Sequence, residues 1–329
     1  MIPTRAIRVS IGALDAGVLG TVDSDGRPAI VINPAGQSPQ LEVDFSCSMS
    51  ITPDANYASV RIMNLAPGTR ERLAGVTKRK LDVSKEIAGM PALQAALGGA
   101  STVEVATVNR GDCYVKIDGG YLPTPARMFE GSCEWTRHAK VGPTWITEMN
   151  IGDGLSTMME GLSAKTFPPG TTLFEVIAHV IDSMALGRGN VTEQRLTEIV
   201  GPGQTTFPFG FTTLGESKWL LSTLIKDFDG EWFVDRGECY IVRKGEALPD
   251  PPLTVSFEQG MISTPEPLDG GKFRVRSMLR PDIRLGRKVA VVRANFEGTY
   301  RVERLAHAVN NRGGAAITDM ILSTSEVPF

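Results

Sequence analysis

The residues with the most obvious chemistry lie in one basic stretch, RVRSMLRPDIRLGRKVAVV, at positions 274–292. This stretch carries six Lys or Arg residues and one acid. Guanidinium and ammonium groups bind phosphates and carboxylates, and Arg does so through directed, often paired hydrogen bonds. The wider window 272–312 holds eleven basic and three acidic residues, whereas the whole chain has 34 basic and 37 acidic residues. The sequence therefore predicts an anion-binding surface in an otherwise mildly acidic protein.

Three interpretations of the basic segment 272–312 are open from the sequence pattern. In the first, its Lys and Arg residues neutralise nucleic-acid phosphates, although only Phe273, Phe296 and Tyr300 are near enough in sequence for base stacking. In the second, the charges form a solvated face of a strand. In the third, they contact acidic surface on another subunit, because Arg suits directional contacts to carboxylates. The acidic remainder of the chain supplies such a surface if the protein self-associates.

The cysteines do not form a recognisable metal or redox site. They lie far apart in the sequence, at Cys47, Cys113, Cys133 and Cys239. This spacing excludes the CxxC pattern of zinc sites and redox motifs. Because Cys47 falls on the apolar side of a predicted strand, where a Cys acts as a small hydrophobic residue, structural thiols are expected.

Catalytic and cofactor motifs are absent from the sequence as well. There is no G-x-x-x-x-G-K-[ST] phosphate loop and no G-x-S-x-G nucleophile elbow. His138, His179 and His307 are far apart, and His179 is predicted on the flank of a helix. No carboxylate pair is placed across a cleft by its spacing, and Asp153 in NIGDGL is interpreted as a turn or helix-cap residue. The sequence predicts no enzyme, no metal and no cofactor.

Alternating patterns predict a mainly β protein. LEVDFSCSMSI at 41–51 alternates apolar and polar residues strictly, which is typical of a half-buried antiparallel strand. YASVRIMNL follows as a second strand, and APGTRERLAG reads as a short helix. Further strands are predicted at 102–108, 114–118, 126–135 and 144–150. The 35 Gly and 21 Pro residues fit many turns between short strands, as in a barrel or a sandwich.

The middle of the chain is predicted to be different. In GTTLFEVIAHVIDSMALG, Thr172 and Glu175 form a T-x-x-E capping box ahead of an apolar stripe at helical spacing. A second helix is predicted at 216–228, followed by a hairpin in EWFVDRGECYIV around Asp235-Arg236-Gly237. The Pro-rich LPDPPL at 248–253 marks a boundary, after which the chain returns to strands.

Neither a signal peptide nor a membrane span is predicted. The N-terminal stretch is interrupted by Asp15 and repeated Gly, and no apolar run approaches the ~18 residues that would cross a bilayer. The sequence therefore predicts a soluble protein made in a cytoplasm.

The order of several motifs resembles the baseplate hub protein of contractile-tailed bacteriophages, a family related to the hub part of the type VI secretion spike protein. The matching stretches are ASVRIMNLAPGTRERL, MFEGSCEWTRHAKVGPTWITEMNIGDG, KTFPPGTTLFEVIAHVI, FTTLGESKWLLSTLIKDFDGEWFVDRGECYIV, GMISTPEP and SMLRPDIRLGRKVAV. Together they cover roughly residues 40–325. The segment 76–112 is longer than the direct strand expected there and is interpreted as a possible insertion.

The resemblance implies two antiparallel β-barrel domains that are similar to tail-tube subunits, with a smaller α/β part between them. It divides the chain into an N-terminal arm or strand at 1–40, a first barrel at 41–165, a helix-containing middle part with a hairpin at 166–250, and a second barrel at 251–329. Three copies would form a ring with pseudo-sixfold symmetry. Because no long β-repeat tail follows the last barrel, a separate spike protein is expected.

The function implied by the resemblance is structural. The trimer would join the hexameric tail tube to the trimeric spike in the virion baseplate, and it would line a channel through which DNA passes. The implied partners are further copies of the chain, the tail tube or distal tube protein, the spike, the tape measure protein and baseplate wedge proteins. Phage DNA is in contact only in transit, no membrane is involved, and assembly takes place in the host cytoplasm.

This resemblance changes the interpretation of the basic segment. A channel lined by threefold copies of a basic strand would hold phosphate strongly and slow the passage of DNA. Arg274, Arg276, Arg284 and Arg287 are therefore predicted to make contacts between subunits. The alternative functions are a nucleic-acid-binding β-barrel protein that uses residues 272–312, and a tail-associated hydrolase.

Overall fold

The computed structural model describes residues 5–13, 26, 29–34, 39–76, 113–122, 125–154, 158, 161–201, 203, 205–293 and 296–324. The strand predicted at 102–108, and nearly all of the possible insertion 76–112, lie outside the described residues. Within these ranges the chain is mainly β with a few helices, which confirms the predicted α+β class. None of the described helices is long and apolar enough to cross a membrane.

Strands dominate both ends of the described chain, and helices are concentrated in its middle. The strands are β1 (Arg5–Ala13), β2 (Ile30–Ile32), β3 (Val43–Ser50), β4 (Asn56–Met63), β5 (Cys113–Tyr121), β6 (Ala126–Val141), β7 (Thr144–Asp153), β8 (Leu162–Phe167), β9 (Thr171–Thr172), β10 (Thr206–Phe207), β11 (Phe211–Glu216), β12 (Gly230–Asp235), β13 (Glu238–Arg243), β14 (Leu253–Ser256), β15 (Glu266–Leu268), β16 (Lys272–Met278), β17 (Lys288–Arg293), β18 (Phe296–Asn310) and β19 (Ala316–Thr324). The helices are α1 (Pro67–Val76), α2 (Leu173–Ser183), α3 (Glu193–Val200) and α4 (Ser217–Lys226).

One large sheet joins the two ends of the chain. Its strand order is β15-β16-β19-β18-β3-β4-β7-β6-β5-β1-β2, and β17 and β14 branch from β18. All pairs are antiparallel except β14 with β17. In this order β15 and β2 are open ends, so the described strands do not close into one barrel.

The long strand β18 makes the sheet continuous. Its first half pairs with β17, its second half pairs with β3, and β19 runs beside most of its length. A register shift between Val302 and Arg304 lies where the neighbours change, and such irregularities bend a strand. Backbone hydrogen bonds therefore link the segments predicted as first and second barrels. Strand β18 belongs to the predicted second barrel and pairs with β3 of the predicted first barrel.

Two hydrophobic cores lie on opposite sides of the β12–β13 hairpin. The first core lies under the large sheet and contains Phe233 and Tyr240 from the hairpin. The second core belongs to the middle part and contains Trp232 and Ile241. Because successive side chains of a strand point to opposite faces, this hairpin is buried on both sides and fixes the middle part to the sheet.

The local patterns in the sequence explain these elements. In β3 the alternate residues Val43, Phe45, Cys47 and Met49 are buried, as their spacing predicts. Helix α2 begins at the predicted capping box: the Thr172 side chain accepts a hydrogen bond from the backbone of Glu175, and the Glu175 side chain accepts one from the backbone of Thr172. The predicted helix and hairpin of the middle part are thereby confirmed.

Candidate assembly surface

The solvent-facing side of the large sheet carries two of the four predicted contact arginines and is called here the outer face. Its side chains alternate with those of the first core along each strand. Residues of the outer face include Asp44, Ser46, Ser48, Tyr57, Ser59, Arg61, Arg137, Glu148, Arg274, Arg276, Arg304, Ala306, Ala308 and Asp319. The registers of neighbouring strands place them on the same side.

Arg274 and Arg276 share one carboxylate within the chain. They lie two positions apart on β16, and Asp319 lies directly opposite Arg276 on β19. The Arg274 Nε lies 3.0 Å from Asp319 Oδ1, and its Nη2 lies 2.8 Å from Oδ2. The Arg276 Nη2 donates to the same Oδ2 at 2.9 Å. A strand with two adjacent outward arginines thus forms a cluster with a single acid.

Exposure within this cluster is unequal. The Arg274 and Arg276 side chains are 46% and 43% exposed, whereas that of Asp319 is 15% exposed. Burial raises the pKa of Asp319, but the hydrogen bonds from the two arginines outweigh it and hold the pKa below its ordinary value. The carboxylate therefore stays charged at neutral pH, and the guanidinium groups form the outermost layer.

Arg284 is held by the middle part of the chain and not by the outer face. Its Nε donates to Asp235 Oδ2 at 2.8 Å, and its Nη2 donates to the Tyr240 hydroxyl at 2.9 Å. Burial lowers the pKa of Arg284, but the charges of Asp235 and Tyr240 and the hydrogen bonds to them together outweigh this effect and raise the pKa overall. Because Asp235 and Tyr240 belong to the β12–β13 hairpin, Arg284 helps to attach that hairpin.

Arg287 makes a contact close to it in sequence. Its Nη1 donates to the backbone carbonyl of Asp282 at 3.2 Å. The Asp282 carboxylate accepts a paired contact from Arg280, with N–O distances of 2.9 and 2.7 Å. All four predicted arginines consequently have a partner within the chain, and their role between subunits stays a prediction.

A second arginine cluster on the outer face lies outside the basic segment, and the sequence pattern does not reveal it. Arg61 on β4, Glu148 on β7 and Arg137 on β6 lie in one row across the sheet. The Arg61 Nε lies 2.9 Å from Glu148 Oε1, and the Arg137 Nη2 lies 2.6 Å from Glu148 Oε2. The hydrogen bond from Arg137 is the main reason that the pKa of Glu148 is lowered.

Between the two clusters the outer face is made mostly of small side chains. Register pairs run from Ala306 to Ser48 and from Ala308 to Ser46, and Ser46 pairs with Ser59. Tyr57, which lies opposite Ser48 and is exposed, is the large side chain in this area. A few charges flank this surface, including Asp44 opposite Arg61 and Arg304 opposite Ser50.

Asp153 is an acid beneath the sheet whose pKa is strongly raised. It is fully buried at the end of β7, and it accepts hydrogen bonds from the backbone N–H groups of Arg236 at 2.7 Å and Gly237 at 2.8 Å. Arg236 and Gly237 have positive φ angles of 58° and 77° and form the turn of the β12–β13 hairpin. Burial, reinforced by the charge of Asp235, raises the pKa of Asp153 to about 8. Asp153 therefore does cap a turn, but one in a distant segment.

The buried thiols and imidazoles serve packing. Cys47, Cys133 and Cys239 are buried and outside disulfides, and burial raises the pKa of Cys47 to about 12. His307 is fully buried beside the Thr318 hydroxyl, at 3.0 Å from its Nδ1, and burial lowers its pKa to about 3. His179 lies on helix α2 and packs edge-on against the Phe167 ring. Across the described residues, no group of His, Cys, Asp and Glu is placed to hold a metal ion.

Comparison with solved structures shows that the chain has the fold of phage tail proteins. No protein-family model matches the sequence, and no curated protein matches it. The resemblance expected from the order of motifs is nevertheless confirmed at the level of the fold, because two solved phage tail proteins share this fold with TM-scores above 0.5.

Both of these phage tail proteins match over nearly the whole chain. The 43 kDa tail protein of prophage MuSo2 from Shewanella oneidensis is 10% identical, with 98% of each chain covered and a TM-score of 0.53. A tail protein from Neisseria meningitidis MC58 is 9% identical, with 96% of each chain covered and a TM-score of 0.54. A component of the type VI secretion system of E. coli is 8% identical, with 88% of this chain and 75% of that chain covered and a TM-score of 0.47.

Proposed function

We propose that this chain is a structural, non-enzymatic baseplate hub of a contractile phage tail. Three copies form a ring that joins the hexameric tail tube to the trimeric central spike. The observation that carries the proposal is the fold shared with two phage tail proteins from end to end, and not over a single module. At this level of identity the comparison supports the architecture, while the role as an adaptor is our inference.

The continuous sheet suits such a ring. In our proposal the strands at the two ends of the sheet meet those of neighbouring copies, because β15 and β2 each have one edge that pairs with none of the other described strands. The outer face then lines the channel, with Arg274 and Arg276 at its margin on β16, one strand from the edge β15, where they reach both the channel and the neighbouring copy. The middle part with its own core points away from the channel. The tube-like domains proposed at 41–165 and 251–329 share β18 and β3 at their junction.

The partners follow from this arrangement. We infer that the ring binds the tail tube or distal tube protein on one side and the spike on the other. The tape measure and wedge proteins contact it in the baseplate, and DNA contacts it only in transit. The assembled protein is part of the virion, and the ring forms in the host cytoplasm. Interfaces of this permanent kind are large and geometrically fixed.

The direct test is the assembly state of the purified chain. Native mass spectrometry and light scattering should show trimers, alone or after addition of the spike protein encoded beside it, and electron microscopy should show a ring with a central hole. A chain that stays monomeric with the spike and tube proteins present would contradict the proposal. If that monomer also bound DNA tightly and in a salt-sensitive way, the nucleic-acid-binding alternative would replace it.

The predicted contacts between subunits need their own experiment. Arg276→Glu should weaken the ring in moderate salt, and reversing an acidic partner on the neighbouring copy should restore it. Arg188→Glu is the matched control, because Arg188 also pairs with a carboxylate in its own chain, Asp182, but lies in the middle part. A ring that survives Arg276→Glu, with the variant folded by circular dichroism, would remove Arg276 from the interface.

A further inference from the structure

The two arginine clusters of the outer face share one construction. Each has a single carboxylate, Asp319 or Glu148, whose side chain is 15% or 16% exposed. Each carboxylate is gripped by two arginines that are much more exposed, at 43–46% in one cluster and 55–67% in the other. The three hydrogen-bonded side chains of each cluster therefore carry one net positive charge, and guanidinium groups form the part that an approaching molecule would meet. One further acid lies opposite an arginine of each cluster, Glu266 opposite Arg274 and Asp44 opposite Arg61.

The chemistry of these clusters identifies the class of partner. Guanidinium groups on a surface attract phosphates, and duplex DNA presents them at high density. An arginine that is already bonded to a carboxylate has fewer N–H donors to offer and less net charge to release counterions. Asp319 accepts from both Nε and Nη2 of Arg274 and Arg276, so the donor pair best suited to a phosphate is occupied in each.

The positions of the two clusters also bear on how firmly this face could hold a phosphate-rich partner. Asp319 on β19 and Glu148 on β7 are four strands apart in the sheet order, which corresponds to about 19 Å at ~4.8 Å per strand. Between them lie the Ala and Ser side chains at 46, 48, 59, 306 and 308, together with one large group, Tyr57, which lies opposite Ser48 and is 44% exposed. The face therefore has separate charged margins and a centre of mostly small side chains.

We propose that Asp319 and Glu148 are attenuators of nucleic-acid binding: each masks a pair of arginines, so that the outer face attracts duplex DNA without retaining it. The physiological meaning rests on the proposed hub function, in which DNA passes this face. The masking itself is a property of the single chain, so it can be measured without the ring.

The test removes each mask in the full-length protein. Binding of a fluorescent duplex of about 20 base pairs is followed by anisotropy, in salt from 50 to 200 mM, for wild type, Asp319→Asn and Glu148→Gln. Each variant should bind roughly tenfold more tightly at 50 mM salt, with a salt dependence steeper by about 0.9 per freed arginine that reaches a phosphate. With two such contacts, the gain should shrink about twelvefold between 50 and 200 mM, so that it has disappeared at 200 mM.

Two controls separate masking from a general change in charge. Asp182→Asn frees Arg188 from a similar paired contact on the middle part and should leave DNA affinity nearly unchanged. Adding Arg274→Gln and Arg276→Gln to Asp319→Asn should abolish the gain. Because the clusters lie on different strands, either one tests the proposal if the other variant does not fold.

Each result decides the question. The proposal is overturned if both folded variants bind DNA as weakly as wild type, or if wild type already binds as tightly as the variants. If the variants form the ring normally and their DNA affinity is unchanged, the masking proposal is wrong and the proposed hub function stands. If the variants bind DNA more tightly but the chain never forms a ring, the masking proposal stands and the proposed hub function is wrong.

Discussion

Replacing Asp153 by Asn should change how stability depends on pH. The carboxyl group is fully buried, and both of its oxygens accept backbone N–H groups from the turn of the β12–β13 hairpin. Burial first, and then the nearby charge of Asp235, raises its pKa from 3.8 to about 8, although the two N–H groups favour the charged form. Asn has nearly the same shape and does not titrate in this range.

The sign and size of the effect follow from this shift. An acid whose pKa is raised by folding holds its proton more tightly in the folded than in the unfolded chain, so its contribution falls as pH rises between the two pKa values. At ~1.4 kcal/mol per unit, the free energy of unfolding of wild type should fall by roughly 3–4 kcal/mol relative to Asp153→Asn between pH 5 and pH 8. Below about pH 3 and above about pH 9 the difference should be constant.

Urea unfolding followed by Trp fluorescence at several pH values measures this difference directly, because other titrating groups cancel between the two proteins. Asp319→Asn is the control. Since the arginines hold the pKa of Asp319 below 3.8 despite its partial burial, its contribution is lost only below that pH, and its difference curve should be flat from pH 5 to 8. A flat curve for Asp153→Asn as well would refute the assignment of a buried, proton-binding acid under the hairpin.

Three further substitutions, with one glycine control, test a buried imidazole, a helix cap and a close backbone contact. Between pH 6.5 and 5 the free energy of unfolding of wild type should fall by about 2 kcal/mol, because burial lowers the pKa of His307 to about 3. The His307→Gln variant should not show this fall, and equal pH slopes in urea unfolding would contradict the prediction. Thr172→Ala should cost about 1 kcal/mol by removing the helix cap, as measured by thermal unfolding. Gly131→Ala should cost about 1–3 kcal/mol, because a Cβ there would lie 2.5 Å from the Gly152 carbonyl oxygen. Gly68→Ala, with no atom within 4 Å, should be neutral or stabilising, and a comparable loss in both Gly variants would show that the contact is not the cause.

Features set by neighbouring residues were predictable from the sequence. The strict alternation of 41–51 identified β3, whose partner β4 follows after a short turn. The T-x-x-E spacing identified the start of α2, and Asp235-Arg236-Gly237 identified the hairpin turn. In each case the determining interactions lie within a few residues, so a local pattern contains the information.

Features set by distant pairing were not predictable. Nothing near Arg274 indicates that its carboxylate comes from position 319, and nothing near Asp153 indicates a turn 83 positions away. The β18–β3 pairing likewise joins segments more than 250 positions apart. Helix α3 was missed for another reason: its eight residues carry only Leu196 and Ile199 as buried apolar positions, which is too short a stripe for periodicity to register.

The charge of a sequence window is a poor guide to the charge of a surface. Arg301, inside the basic segment, is buried against Glu231 and Glu303, and Arg284 pairs with Asp235. The acids that neutralise them come mostly from outside 272–312, so much of the excess positive charge disappears on folding.

Because these charges are neutralised within the chain, fewer of the four predicted arginines remain candidates for contacts between subunits. An arginine has five N–H donors, so one that is exposed and bonded to a single carboxylate retains donors for a neighbouring chain. Arg274 and Arg276 meet that condition, being nearly half exposed on the outer side of a shared acid. Arg284 is 30% exposed and donates its hydrogen bond to Asp235, which is 3% exposed. Replacing Arg284 would leave the buried Asp235 charge without its hydrogen-bonded arginine. Loss of assembly in an Arg284 variant would therefore report on folding, whereas the same loss in an Arg274 or Arg276 variant would report on the interface.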